Sequence, residues 1–128
     1  PTIVLRDGRP FLVTGSPGGP TIITTALHLL LNVIDHQLPL NLATDAPRFH
    51  HQWQPDDLKH EPFLTSPDTV QTLESMGHVF ALRRLYAEES EAAARYWGDA
   101  ESIWLDPDTN RLIGVSDKRM PDAAPAGF

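Results

Sequence analysis

Two short runs of apolar and β-branched residues open the chain, Thr2 to Leu5 and Phe11 to Thr14, with the polar stretch R-D-G-R-P between them. The Asp7-Gly8 pair predicts a tight hairpin, and Pro10 suits the turn or a strand entrance better than a central strand. After Gly19 the period changes from two to that of a helix. Ile22, Ala26, Leu29, Leu30 and Val33 share one stripe, and Leu27, Leu31 and Ile34 widen it. A helix over 21–34 that is apolar nearly all round belongs between two layers. Its threonines are weak helix formers, so tertiary packing must hold the first turn.

Leu38 to Ala46 predicts a second short helix stopped by Pro47. From Arg48 to Pro67 no period persists, which predicts a long ordered loop pinned to the core by Phe49 and Trp53. Ser66-Pro67 has the form of an N-cap followed by a first-turn proline. It opens a helix with Val70, Leu73 and Met76 on one stripe, ended by Gly77. His78 to Leu82 alternates like a strand. Tyr86 to Gly98 is acidic and alanine-rich, and reads as a helix or a surface excursion in which Glu88, Glu89 and Glu91 form a solvated face. Ser102 to Leu105 and Arg111 to Val115 form a second hairpin around D-P-D-T-N. Two hairpins separated by helices predict an α+β fold with an antiparallel or mixed sheet, rather than a doubly wound nucleotide fold. No repeat or linker divides residues 1–128.

Composition adds boundaries to this picture. The length of 128 residues suits one domain, and twelve prolines fit the irregular stretches. A net charge of −7 argues against nonspecific attraction to nucleic acid or anionic membrane. The most apolar segment is too short to span a bilayer and carries His28 and Asn32, so no membrane insertion is expected. With no cysteine in the chain, disulfides and thiolate chemistry are excluded. The opening P-T-I-V-L looks like a strand already under way, as in a piece of something longer.

The densest chemistry lies in T-G-S-P-G-G, Thr14 to Gly19, between the second strand and the first helix. Neither the Lys-Ser/Thr ending of a phosphate-binding loop nor the G-x-G-x-x-G dinucleotide spacing is present. Two readings remain at this level. Gly18 and Gly19 bring consecutive backbone N–H groups to a helix N-terminus, where they suit an oxyanion site. Alternatively, the glycines only permit a tight turn. Ser16 lacks the G-x-S-x-G elbow of a nucleophile, since Thr14 stands where the first glycine is needed. In P-R-F-H-H-Q-W, a metal set of His50, His51, His60 and Asp56 or Asp57 is disfavoured, because adjacent histidines of an extended segment point apart. Arg48 is expected to pair with a carboxylate, Asn32 to bond loop backbone, and Asp117, Lys118 and Arg119 to form an ion-pair knot. His28, His36 and His78 read as structural.

The ordered string T-G-S-P-G-G, I-D, A-P-R, H-H-Q-W, P-D, then G-H and S-D-x-R, resembles the C-terminal part of the small subunit of bacterial γ-glutamyltranspeptidases (glutathione hydrolases). The resemblance runs from Thr2 to Phe128. It implies an N-terminal-nucleophile hydrolase fold, a four-layer αββα sandwich built by two subunits cut from one precursor, of which this chain is one part. It also implies γ-glutamyl transfer and hydrolysis without metal or organic cofactor, through an acyl-enzyme on an N-terminal threonine. That threonine, and the groups that grip the glutamyl moiety, belong to an earlier small-subunit segment and the large subunit. Glutathione or another γ-glutamyl compound is the implied donor, an amino acid or dipeptide the acceptor, and the periplasm or exterior the implied location. In family terms Gly18 and Gly19 are the oxyanion-hole donors. Thr2 lies in the P-T-I strand behind Pro1 and is not the nucleophile. The Tyr86 to Asp99 stretch departs from the family pattern by an alanine-glutamate insertion. Two alternatives are a related acylase of the β-lactam side-chain type and a non-catalytic ligand-binding or structural module.

Overall fold

The protein is described from a computed structural model that covers residues 1–82, 97–120 and 123–126. The first hairpin pairs β1 (Thr2–Arg6) with β2 (Arg9–Gly15), turning through Asp7 at φ 51° and Gly8 at φ 76°. Two successive positive φ values are what a two-residue hairpin of right-twisted strands requires, and the Asp-Gly pair supplies them. The register shifts between Val4 and Leu5, opposite Pro10, which has no N–H to give to a ladder. β2 also pairs antiparallel with β6 (Glu101–Leu105), and β6 with β7 (Leu112–Val115), giving a four-stranded sheet in the order β1-β2-β6-β7. Thus the two hairpins read from the sequence join into one sheet.

Helix α1 (Thr21–Ile34) and the short α2 (Leu40–Asp45) lie on one face of this sheet. Phe11, Leu12, Leu29, Leu40 and Ala43 form the buried centre, flanked by Val4, Leu30, Val33, Leu38, Trp104 and Val115. Each fully buried large side chain there contributes about 1.5–3 kcal/mol by leaving water. Phe11 meets Trp104 edge to face at 6.3 Å, and the Arg6 guanidinium lies over the Phe11 ring at 3.7 Å. Asn32 donates to the Ala43 carbonyl and ties the two helices, so its backbone partner belongs to α2 rather than to the loop expected from the sequence.

Burial of α1 differs from the sequence expectation. Only Thr21, Thr25 and Leu29 are buried, while Ile23 is 75% exposed and Leu27 48%. The sheet covers one flank of the helix, and the other has no covering layer among the described residues. The opposite sheet face is open in the same way, with Ile3, Val13 and Ile103 in one cross-strand row and Ile3 and Ile103 exposed. Apolar faces of this kind are the mating surfaces of a layered sandwich.

The segment expected to be a loop contains two strands, β3 (Phe49–His50) and β4 (Leu58–His60). They pair with each other antiparallel, and β4 pairs parallel with β5 (Phe80–Leu82), making a second sheet in the order β3-β4-β5. Phe49 packs against His28, with ring centres 4.4 Å apart. Trp53, by contrast, is no anchor: it stands 77% exposed at φ 71°. Helix α3 (Pro67–Ser75) follows its cap signals, with the Thr69 amide donating to Ser66 Oγ at 3.3 Å and Gly77 ending it at φ 99°. Its stripe leaves Met76 exposed, so no helix or sheet among the described residues covers it. Of the acidic stretch, only Trp97 and Gly98 fall within the described residues.

Candidate functional site

The glycine loop runs from the end of β2 to Pro20, which precedes the first residue of α1. Gly18 has φ 134° and Gly19 φ 58°, conformations that a side chain rarely tolerates. Both glycines use their carbonyls to start the helix. Gly18 O accepts from the Thr21 amide at 3.2 Å and the Thr21 hydroxyl at 2.8 Å, and Gly19 O accepts from the Ile22 amide at 3.3 Å. In a planar trans peptide the C=O and the following N–H point in opposite directions. The Gly19 N–H is therefore directed away from the first turn of α1, against which the Gly18 carbonyl is held.

The same rule fixes the neighbouring amide. Pro17 O accepts the Ser16 hydroxyl at 2.6 Å and lies over Gly98, so the Gly18 N–H is directed away from that contact. Neither glycine amide donates a hydrogen bond to any described residue. Among the described residues two adjacent backbone donors thus stand uncommitted on a loop whose Pro17, Gly18 and Gly19 carbonyls are each engaged.

Behind the loop lies the segment Trp97 to Ala100. A Cβ placed on Gly18 would sit 3.0 Å from Gly98 Cα, and one on Gly98 would collide with Ser16 Oγ and the Pro17 carbonyl. The two backbones are in contact, and glycine at both positions is the condition for it. Ser16 Oγ also accepts the Asp99 amide at 2.8 Å. With its proton on Pro17 O and its lone pair on Asp99, this hydroxyl is engaged with backbone on both sides.

A buried charge cluster holds the bracing segment in turn. Arg48, Glu61, Asp117 and Arg119 are each at most 6% exposed. Arg48 meets Asp117 at 2.7 Å, and Arg119 meets Asp117 at 3.0 Å and Glu61 at 2.5 Å. Two cations and two anions balance, and nearby backbone takes up the remaining bonds. Arg48 donates to Trp97 O at 2.7 Å and to Thr44 O, Arg119 to Thr44 O and Ala46 O. Glu61 accepts the Arg48 amide and Asp117 the Ala100 amide. Such satisfaction is what makes buried ions tolerable. Burial alone would raise the Asp117 carboxyl, but Arg48, the Ala100 amide and Arg119 outweigh it and hold it below its ordinary value. Burial, reinforced by the adjacent Arg119, lowers the Arg48 guanidinium.

The sequence pointed to Arg48 with a carboxylate partner and to an Asp117–Arg119 knot, and both pairs are present. Lys118 leaves the knot and pairs with Asp45 at the surface. Glu61, Gly98 and Asp99 were missed. Gly98 offered a signal in retrospect, a glycine entering a β-run directly after a tryptophan.

The histidines are dispersed rather than gathered. His50 is buried between the Thr24 hydroxyl at 3.0 Å and Gln52 at 2.9 Å, His51 faces Asp56, and His60 bonds the Glu61 carbonyl. Among the described residues no group of three potential ligands stands together. His28 is lowered to about 4 by burial and by Arg48, and its Nδ1 has no partner among the described residues. Asp99 is raised to about 6 by burial and by the Glu101 carboxyl.

Residues 1–127 match the family model described as Gamma-glutamyltranspeptidase. The chain is 52% identical over 129 residues to a glutathione hydrolase proenzyme of Pseudomonas sp. (strain A14), covering 100% of this chain and 22% of that protein. It is 46% identical over 128 residues to the glutathione hydrolase proenzyme of Escherichia coli K12, covering 100% of this chain and 20% of that protein. A crystal structure of a Helicobacter pylori gamma-glutamyltranspeptidase mutant superposes with a TM-score of 0.79 at 38% identity, covering 94% of this chain and 60% of that one. The chain therefore spans about a fifth of the curated relatives' length. Its α+β architecture is part of the N-terminal-nucleophile hydrolase fold. From the match along nearly its whole length, the chain belongs to the γ-glutamyltranspeptidase family.

Proposed function

We propose that residues 1–128 are the C-terminal portion of the small subunit of a γ-glutamyl hydrolase and transferase, in which Gly18 and Gly19 supply the oxyanion hole. The observation that carries this reading is the pair of uncommitted amides on a loop braced from behind. The nucleophile is the N-terminal threonine of a preceding small-subunit segment, freed by cleavage of the precursor. Its hydroxyl attacks the γ-glutamyl carbonyl, and the carbonyl oxygen takes on charge in the tetrahedral intermediate. The glycine N–H groups bond that oxygen most strongly at this stage, which lowers the barrier rather than merely tightening binding. The amine leaves, and water or an amino acid or dipeptide acceptor releases the acyl group. The large subunit completes the site, glutathione is the natural class of donor, and the enzyme works in the periplasm or outside the cell.

The test is turnover by the intact two-subunit protein. Glutathione and γ-glutamyl-p-nitroanilide should both be cleaved, with p-nitroaniline release accelerated by a dipeptide acceptor. Cleavage of a β-lactam side-chain amide with no γ-glutamyl turnover would assign the protein to the acylase class. Inactivity toward both would leave a binding or structural module.

A further inference from the structure

We propose that Ser16 is a positioning residue for acyl transfer, its hydroxyl latching the glycine loop to the Asp99 backbone and so setting the direction of the Gly18 N–H. This inference rests on the oxyanion role proposed for that amide. Ser16 Oγ donates to Pro17 O at 2.6 Å and accepts from the Asp99 amide at 2.8 Å. Pro17 C=O and Gly18 N–H are opposite ends of one rigid peptide plane. Whatever fixes the oxygen fixes the donor. Pro17 contributes by lacking an N–H of its own and by its restricted φ.

The anchor at the other end is equally firm. Trp97 O is held by Thr25 Oγ1 at 3.1 Å and by Arg48 at 2.7 Å, and the Ala100 amide is held by Asp117 at 3.0 Å. Asp99 lies between these two fixed points, so its amide meets Ser16 from a set direction. The contact between Gly18 and Gly98 leaves the loop no room to retreat. Without the hydroxyl, the Pro17–Gly18 plane keeps its packing but loses the bond that stops it rotating.

The experiment compares wild type, Ser16→Ala and Ser16→Cys in the intact enzyme with γ-glutamyl-p-nitroanilide. Cysteine keeps a small side chain but is a weak hydrogen-bond donor and acceptor, so it reports on the latch if the alanine variant does not fold. A misplacement of about 1 Å can cost roughly a hundredfold in rate. Each folded variant is therefore expected to lose about tenfold to a hundredfold in kcat, with KM within about twofold of wild type. Affinity for a tetrahedral γ-boronate analogue of glutamate should fall with kcat, while affinity for glutamate itself holds. Unchanged kcat in a folded variant, beside an active wild type, overturns the latch alone. An equal loss of glutamate affinity also overturns it, because the hydroxyl would then shape the pocket as a whole. A wild type that turns over no γ-glutamyl amide overturns the oxyanion reading and the latch with it.

Discussion

Hydroxyl groups hold α1 at its N-terminal end: Thr21 bonds Gly18 O, Thr24 bridges Thr21 O and His50, and Thr25 bonds Trp97 O. Its C-terminal half is held instead by Leu29, Leu30 and Val33 in the apolar core with Phe11 and Leu12. Threonine is a mediocre helix former, and its use in the first turn makes sense as loop anchorage. Hydrogen bonds fix direction, which a donor pair aimed at a developing charge requires. Apolar burial is non-directional and supplies stability. One end of the helix orients the candidate chemistry, and the other keeps the fold together.

The severest way to break the polar end is Asp117→Asn. It leaves Arg48 and Arg119 buried with only Glu61 between them. Loss of one member of such a cluster costs about 3–5 kcal/mol, to be read by chemical denaturation of the intact enzyme, with γ-glutamyl turnover falling alongside. At the apolar end, Leu29→Ala should cost about 2–5 kcal/mol of stability yet leave kcat of the folded enzyme within about twofold of wild type. Thr25→Val inverts that pattern. It removes one hydrogen bond, worth about 0.5–1.5 kcal/mol, while kcat drops more than it does in Leu29→Ala. If the two variants shift kcat equally, the two ends are not functionally distinct.

The smallest effect concerns pH. Asp99 titrates near 6 in the folded protein against 3.8 ordinarily, so it contributes stability below pH 3.8 that is lost as pH rises through 6. His28 runs the other way. Its value near 4, against 6.5 ordinarily, gives stability that is complete above pH 6.5 and lost as pH falls toward 4. Between pH 4 and 6 the two slopes oppose each other. Asp99→Asn keeps the backbone amide that Ser16 uses and removes only the first slope. Its Tm should therefore fall more steeply than that of wild type on acidification from pH 6 to 4, and parallel curves would contradict this assignment.

How much of this was readable in advance depended on whether the determining contacts were local. The bounds of α1 followed from its period and from the proline and glycines before it. The Asp7-Gly8 and Asp106 to Asn110 turns announced both hairpins. β3 and β4 were not legible, because strands of two and three residues carry no period and β4 gains its place by parallel pairing with distant β5. Trp53 misled because aromatic character alone does not tell burial from display. Within the site, Gly18 and Gly19 stood out as a pair. Their support did not, since Glu61, the Gly98-Asp99 pair and Asp117 arrive from three separated places in the chain and meet only after the sheet has formed. The family resemblance pointed to the same two glycines but said nothing of the hydroxyl behind them.

The most direct test of the proposed oxyanion role is a crystal structure of the intact protein carrying a γ-boronate analogue of glutamate bonded to the proposed threonine nucleophile. A boronate oxygen is expected about 2.7–3.1 Å from both the Gly18 and Gly19 nitrogens, with Pro17 O still on Ser16. An oxygen held by other donors, with both glycine amides beyond hydrogen-bond reach, would contradict it.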